Sequence, residues 1–175
     1  MSFPELISHR YRLRQILPQD LEFIFHGLSH PQVIPFYGVR YETPEATVAQ
    51  MNWYDELWRD RTGIWWIVMD EAQQPLGACG FNYYHPQHEK IELGFWLLPE
   101  HWSKGIMKEV LPVIIAYIFS SWKVHRIEAL VETGNLSSSG LLIKLGFKQE
   151  GILRESEIKE GKRISLVMFS KLITD

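Results

Sequence analysis

The sequence predicts a mixed α/β fold in one domain over residues 1–175, with about seven strands in a central sheet and about four flanking helices. Three patterns carry that expectation. Short apolar runs bounded by polar turns read as strands, four longer stretches carry apolar residues at helical spacing, and a strand–helix–strand order lies between Ile91 and Val131. The last pattern matters most. Such a crossover makes its two strands parallel and right-handed, and it aims the helix N-terminus at the carboxyl end of the first strand, where open α/β sheets bind ligands.

Taken in order, Tyr11 to Ile16 reads as a first strand. Pro18-Gln19-Asp20 opens a helix with Leu21, Ile24, Phe25 and Leu28 at helical spacing. Ser29 to Tyr41, with two prolines and a glycine, reads as loop. Thr43-Pro44-Glu45 supplies a hydroxyl N-cap, a proline at the first helical position and a first-turn carboxylate for a helix reaching about Arg59. Ile64–Met69 and Leu76–Tyr83 form a hairpin around Asp70–Pro75, and the turn His85–Lys90 leads to a fourth strand, Ile91–Leu98. An almost wholly apolar helix follows, Lys104 to Ser121, interrupted by Pro112, which removes one backbone bond. Arg126–Val131 is the next strand, Ser137–Leu145 a helix stopped by Gly146, and Phe147–Arg154 pairs with Ile164–Lys171 around Glu160-Gly161.

At 175 residues the chain can bury roughly two-thirds of its unfolded surface without a disulfide or metal. The formal charge of -3 lacks the basic excess of a nucleic-acid binder. The single cysteine, Cys79, forms no intramolecular disulfide and sits in an apolar run, as a small core residue rather than a nucleophile. Neither a leader nor a membrane span is expected: the first residues lack a basic and apolar signal, and Val110 to Phe119 is too short to cross. The expectation is a cytoplasmic protein, monomer or homodimer, with no membrane or nucleic-acid partner.

The chemistry concentrates after the fourth strand. Pro99-Glu100-His101-Trp102-Ser103-Lys104-Gly105-Ile106-Met107 joins strand to helix, and a loop with free amides opening a helix attracts anions. Gly105 lets the backbone approach a phosphate and Lys104 adds charge; an ordinary loop is the rival reading. No Walker or GxGxxG pattern is present. Glu92 lies in an apolar strand, where a carboxylate is costly unless paired or functional, and alternation puts it on one face with Gly94 and Trp96. Trp53, Trp58, Trp65, Trp66, Tyr83 and Tyr84 read as core or as walls of an acceptor cleft. His85 and His88 have ligand-like spacing but no third partner, so no metal is expected.

Ile91 to Leu98, the loop through Met107, and Asn135-Leu136-Ser137-Ser138 through Lys144-Leu145-Gly146-Phe147 together resemble the GNAT N-acetyltransferase superfamily, and most closely its ribosomal-protein (RimJ/RimL-type) branch. The likeness runs from about Arg10 to Lys171. The family loop is Gln/Arg-x-x-Gly-x-Gly/Ala, often with Trp first in this branch; here it is Trp102, Ser103, Lys104, Gly105, Ile106, Met107, with Met107 where a small residue is usual. The resemblance implies acetyl-CoA as co-substrate, its pyrophosphate held by amides from about Ser103 to Lys108. It also implies a V-shaped splay between the fourth and fifth strands, where pantetheine pairs with the strand edge at Phe95, Trp96 and Leu97, and a bond from Asn135 to the same arm. Glu92 matches a family base that works through water; a structural or substrate-orienting role is the rival reading. Many relatives carry a tyrosine acid seven residues beyond the asparagine, but that position is Leu142. Ser138 is the nearest match to the serine proposed as acid in this branch, and it equally reads as a helix-start hydroxyl. Glu109 reads as structural.

The implied activity is transfer of acetyl from acetyl-CoA to a primary amine by direct attack, with a protein N-terminal α-amine as the implied acceptor. The alternatives are a small-molecule amine (polyamine, amino sugar or amino acid) and a non-catalytic acyl-CoA-binding module.

Overall fold

The computed structural model describes residues 2–175. In chain order the strands are β1 (Leu6–Ile7), β2 (Arg12–Gln15), β3 (Ile64–Met69), β4 (Pro75–His85), β5 (Lys90–Leu97), β6 (Arg126–Glu132), β7 (Lys148–Lys159) and β8 (Lys162–Leu172). The helices are α1 (Leu21–Ser29), α2 (Pro44–Arg59), α3 (Ile106–Ser121) and α4 (Leu136–Lys144). All eight strands form one sheet in the order β1-β2-β3-β4-β5-β6-β8-β7. Only β5 and β6, joined by α3, are parallel; every other neighbour is antiparallel. The eighth strand is the two-residue β1, too short to leave a periodic signal, so the fourth and fifth strands read from sequence are β5 and β6 here.

Local chemistry explains most boundaries. Thr43 Oγ1 accepts from the Ala46 amide at 3.1 Å, with Pro44 and Glu45 in the first turn of α2. Asp20, buried before α1, accepts two bonds of 2.8 Å from Arg14 and one from the Leu17 amide. α3 begins at Ile106 rather than Lys104 because Ser103 (φ 60°) and Gly105 (φ 77°) are left-handed, and it runs unbroken through Pro112. α4 begins at Leu136, one residue early, since Asn135 is its cap. β7 extends five residues past Arg154; its bulge around Glu155 (φ 49°) breaks the alternation that marks strands in sequence.

The core has two sides. Ile64, Trp66 and Val68 of β3 join Phe81, Ile91, Leu93, Ile127 and the apolar face of α3. Trp65, Ile67 and Met69 pack with Trp96, Ile24 and Leu28 beneath α1 and α2. Fully buried side chains such as Trp66, Phe81 and Phe169 each contribute about 1.5–3 kcal/mol or more. Cys79 is among them, and burial pushes its thiol up, away from nucleophilic use. Among the described residues no helix is long and apolar enough to cross a membrane.

Candidate active site

β5 and β6 pair at only three rungs, Lys90–Arg126, Ile91–Ile127 and Glu92–Glu128. Beyond Glu92 they separate, although β5 stays paired with β4 to Leu97 and β6 with β8 to Glu132. From Leu93 onward β5 therefore has a backbone edge facing a V-shaped opening rather than a strand. Phe95 and Leu97 pack partly on the α3 side, whereas the Trp96 ring is buried beneath α1 and stacks on Phe23 at 5.6 Å. The Trp96 backbone also turns away from this edge: Leu98 donates to Leu76 of β4 while the Leu97 carbonyl faces the opening, so by alternation Trp96 pairs with Ala78 and the free groups of the edge are those of Phe95 and Leu97.

The loop before α3 crosses the end of the opening. No backbone amide from Ser103 to Lys108 donates to a described residue, because the left-handed turns at Ser103 and Gly105 leave the first helical amides without preceding carbonyls in reach. These six successive N–H groups and the helix dipole favour an anion. Ile106 and Met107 turn their side chains into the core, so Met107 adds no bulk to the loop surface. Lys104 and Lys108 are exposed, and a Cβ at Gly105 would meet no atom within 4 Å. Trp102 donates its ring N–H to the Leu97 carbonyl at 2.8 Å, fixing the loop to the end of β5 and occupying one acceptor of the splayed edge. Glu109 lies away from the loop face and binds Ser8, Arg10 and the Arg10 amide, tying the N-terminal segment to α3.

Across the splay, Asn135 Oδ1 accepts from the Ser138 amide at 3.2 Å, which leaves its NH₂ group as donor. Ser138 is therefore the third helical residue, not the cap, and its hydroxyl has no partner among the described residues. Leu142 is fully buried.

Glu92 stands on the opposite face of β5 from Leu93, beside Gly94. It accepts no hydrogen bond from a described residue. Burial, then the charges of Glu128 and Glu157, push its carboxyl up to about 7, with Lys90 opposing. Gly94 has a packing reason: a Cβ there would lie 2.7 Å from the Trp65 ring.

Glu92, Asn135 and Ser138 line one cavity of about 660 Å³ that passes through the splay. Its far wall is aromatic. Trp53, Trp65 and Tyr83 line it, as do Phe36, Tyr37 and Tyr41, which sequence reasoning did not single out individually because they lie in a loop without periodicity. Trp58, Trp66 and Tyr84 instead belong to the α3-side core. Lys159 bonds Glu132 and the Pro35 carbonyl, and Arg40 meets Glu160 at 2.5 Å, so the β7–β8 hairpin clasps the 29–41 loop over the cavity. His85 and His88 stack at 4.2 Å, and no described group of three or more His, Cys, Asp or Glu is arranged to hold a metal.

Residues 10–148 match the acetyltransferase (GNAT) domain model. The chain belongs to the GNAT acetyltransferase family. This GNAT enzyme is an N-acetyltransferase. It is 35% identical over 161 residues to the Bacillus subtilis N-acetyltransferase YoaA, a protein uncharacterized beyond that description, covering 91% of each chain. It is 24% identical over 166 residues to the ribosomal-protein-serine acetyltransferase of Escherichia coli, covering 95% of this chain and 88% of that one. Among solved structures, spermidine N-acetyltransferase from Vibrio cholerae, in complex with CoA and spermine, superposes with a TM-score of 0.83 at 21% identity, covering 94% of this chain and 96% of the other.

Proposed function

We propose that this enzyme moves the acetyl group of acetyl-CoA onto a protein N-terminal α-amino group by direct attack within a ternary complex. The observation that carries the reading is the continuous cavity from Glu92 through the splay to Asn135 and Ser138. A thioester entering from the loop side and an amine from the aromatic side would meet there at near-attack distance, worth several kcal/mol by itself. The Ser103–Lys108 amides would hold the pyrophosphate, the Asn135 NH₂ group the pantetheine arm, and the free edge of β5 at Phe95 and Leu97 the remainder of that arm.

The chemistry needs a neutral amine, a stabilised oxyanion and a protonated thiol. Glu92, raised to about 7, draws the ammonium proton through water. The nitrogen then attacks the acetyl carbon, and a backbone amide near Leu97 stabilises charge on its oxygen. As the C–S bond breaks, Ser138 gives its proton to the departing sulfur and regains one, through water, from the nitrogen, which leaves a neutral amide and a free thiol. An α-amine with a pKa of about 8 is roughly one-tenth neutral at pH 7, against about one in 2,500 for lysine at about 10.4. A base near 7 suits the former. A cytoplasmic location, where protein N-termini emerge, goes with this reading.

A small-molecule amine is the second reading, favoured by one observation: Glu157 lines the cavity without an ion-pair partner among the described residues and would suit a second positive charge on the acceptor. A thiol-release assay at saturating acetyl-CoA separates the two. Peptides with free N-termini should give the highest kcat/KM, and the same peptides blocked at the N-terminus but carrying lysine should give almost none. Faster turnover of polyamines would replace the first reading with the second, and the absence of amine-dependent release would reject both.

A further inference from the structure

The Glu92–Glu128 rung is the last one before the strands part, and two carboxylates face each other there on one side of the sheet. The pairing continues sideways from Asn82 through Glu92 and Glu128 to Ser170. Of the two carboxylates only Glu128 is neutralised. Lys90 Nζ lies 3.0 and 3.2 Å from its oxygens and Arg126 Nε lies 2.8 Å away, while Arg126 also bonds Glu150, which accepts from Ser170 at 2.6 Å. Arg126 and Ser170 hold Glu150 ionised, down to about 2, so the clamp stays charged through the working range.

Lys90 is two residues from Glu92 on the same strand face, which makes it the natural partner of that carboxylate. An ammonium resting on Glu92 would lower its proton affinity and occupy the place of the incoming amine. Instead Lys90 is turned across the rung to Glu128. We propose that Glu128 is a positioning residue for the transfer: it captures the Lys90 ammonium and stands as a fixed anion one strand away, which keeps Glu92 unpaired and open to the acceptor's proton. This rests on the reading of Glu92 as base.

The other groups around Glu92 do not replace this device. From β7 Glu157 adds a second negative charge, and Lys159 is taken up by Glu132. Asn82 of β4 and Gln50 of α2 are uncharged, and burial raises the phenols of Tyr37 and Tyr41, so neither ionises near neutrality. Among the described residues Lys90 is the cation that opposes the upward shift of Glu92, and Glu128 holds it.

The test is the pH profile of kcat/KM for the acceptor, at saturating acetyl-CoA, for wild type, E92Q, E128Q, K90M and the double variant E128Q/K90M. Wild type should show an acidic limb near pH 7 that E92Q removes. E128Q should move that limb down by about one pH unit or more, as the freed Lys90 reaches Glu92. K90M should move it up, and the double variant should return it toward wild type. A purely structural Glu128 would lower Tm and rate without moving the limb, and K90M would leave the limb in place; either result overturns the proposal, and the K90M arm decides it even where E128Q fails to fold. A limb lost in E92Q but unmoved in E128Q refutes the role of Glu128 alone. A limb that survives in E92Q removes Glu92 as base and this proposal with it.

Discussion

The two regions that meet at the strand splay are built from different materials. On the loop side, where we propose that the coenzyme sits, the groups offered are mainly backbone: six amides of one loop and the edge of one strand, with Ile106, Met107 and Trp96 turned into the core. On the acceptor side they are side chains from the 29–41 loop, α2, β3, β4, β5 and β7, brought together only by folding. A backbone cradle is indifferent to most side chains and strict about conformation. A side-chain wall is the reverse, so one end can stay constant in what it binds while the other is free to vary.

The largest effect that would sharpen this contrast is at Glu92, on the acceptor side. Glu92→Gln should lower kcat by about 10²–10⁴ at pH 7 without changing acetyl-CoA affinity. The deficit should shrink as pH rises, because more amine is then already neutral. A loss that stays constant across pH 6 to 9 would assign Glu92 to positioning alone.

Asn135 tests the coenzyme side. Removing its amide in Asn135→Ala should cost about 1–3 kcal/mol, read as a rise in the acetyl-CoA KM larger than the fall in kcat. The variant also loses the α4 cap, so a Tm drop corresponding to about 1 kcal/mol should accompany it. A Tm change with no KM change would make Asn135 a cap only.

Gly105 separates conformation from side-chain chemistry. No neighbour would clash with a Cβ there, but φ is +77°, and an L-residue in that region costs roughly 1–2 kcal/mol. Gly105→Val should therefore weaken acetyl-CoA binding at least several-fold by titration calorimetry, leaving the fold intact. Unchanged affinity would show that the amides of this loop do not hold the coenzyme.

The smallest effect concerns stability. Because the carboxyl of Glu92 sits near 7 in the folded chain and at about 4.3 unfolded, its contribution is fully present below about pH 4 and lost as pH rises to 7. Glu92→Gln should then raise Tm by several degrees at pH 8 and change it little at pH 4.5, measured by calorimetry. Equal shifts at both pH values would mean that burial does not disfavour this carboxylate.

Much of this molecule was determined by the sequence alone. The crossover around α3, the Thr43-Pro44-Glu45 start, the glycine-bearing loop and the isolated carboxylate on an apolar strand are each local: a period, a cap or a charge in the wrong company is visible within ten residues. The tertiary structure decided what depends on pairing between distant segments. It set Glu128 opposite Glu92 and turned Lys90 away from it, and it drew Phe36, Tyr37 and Tyr41 over the site. These are matters of sheet register and chain crossing, and a one-residue slip would send each side chain to the other face, so no short window of sequence contains them.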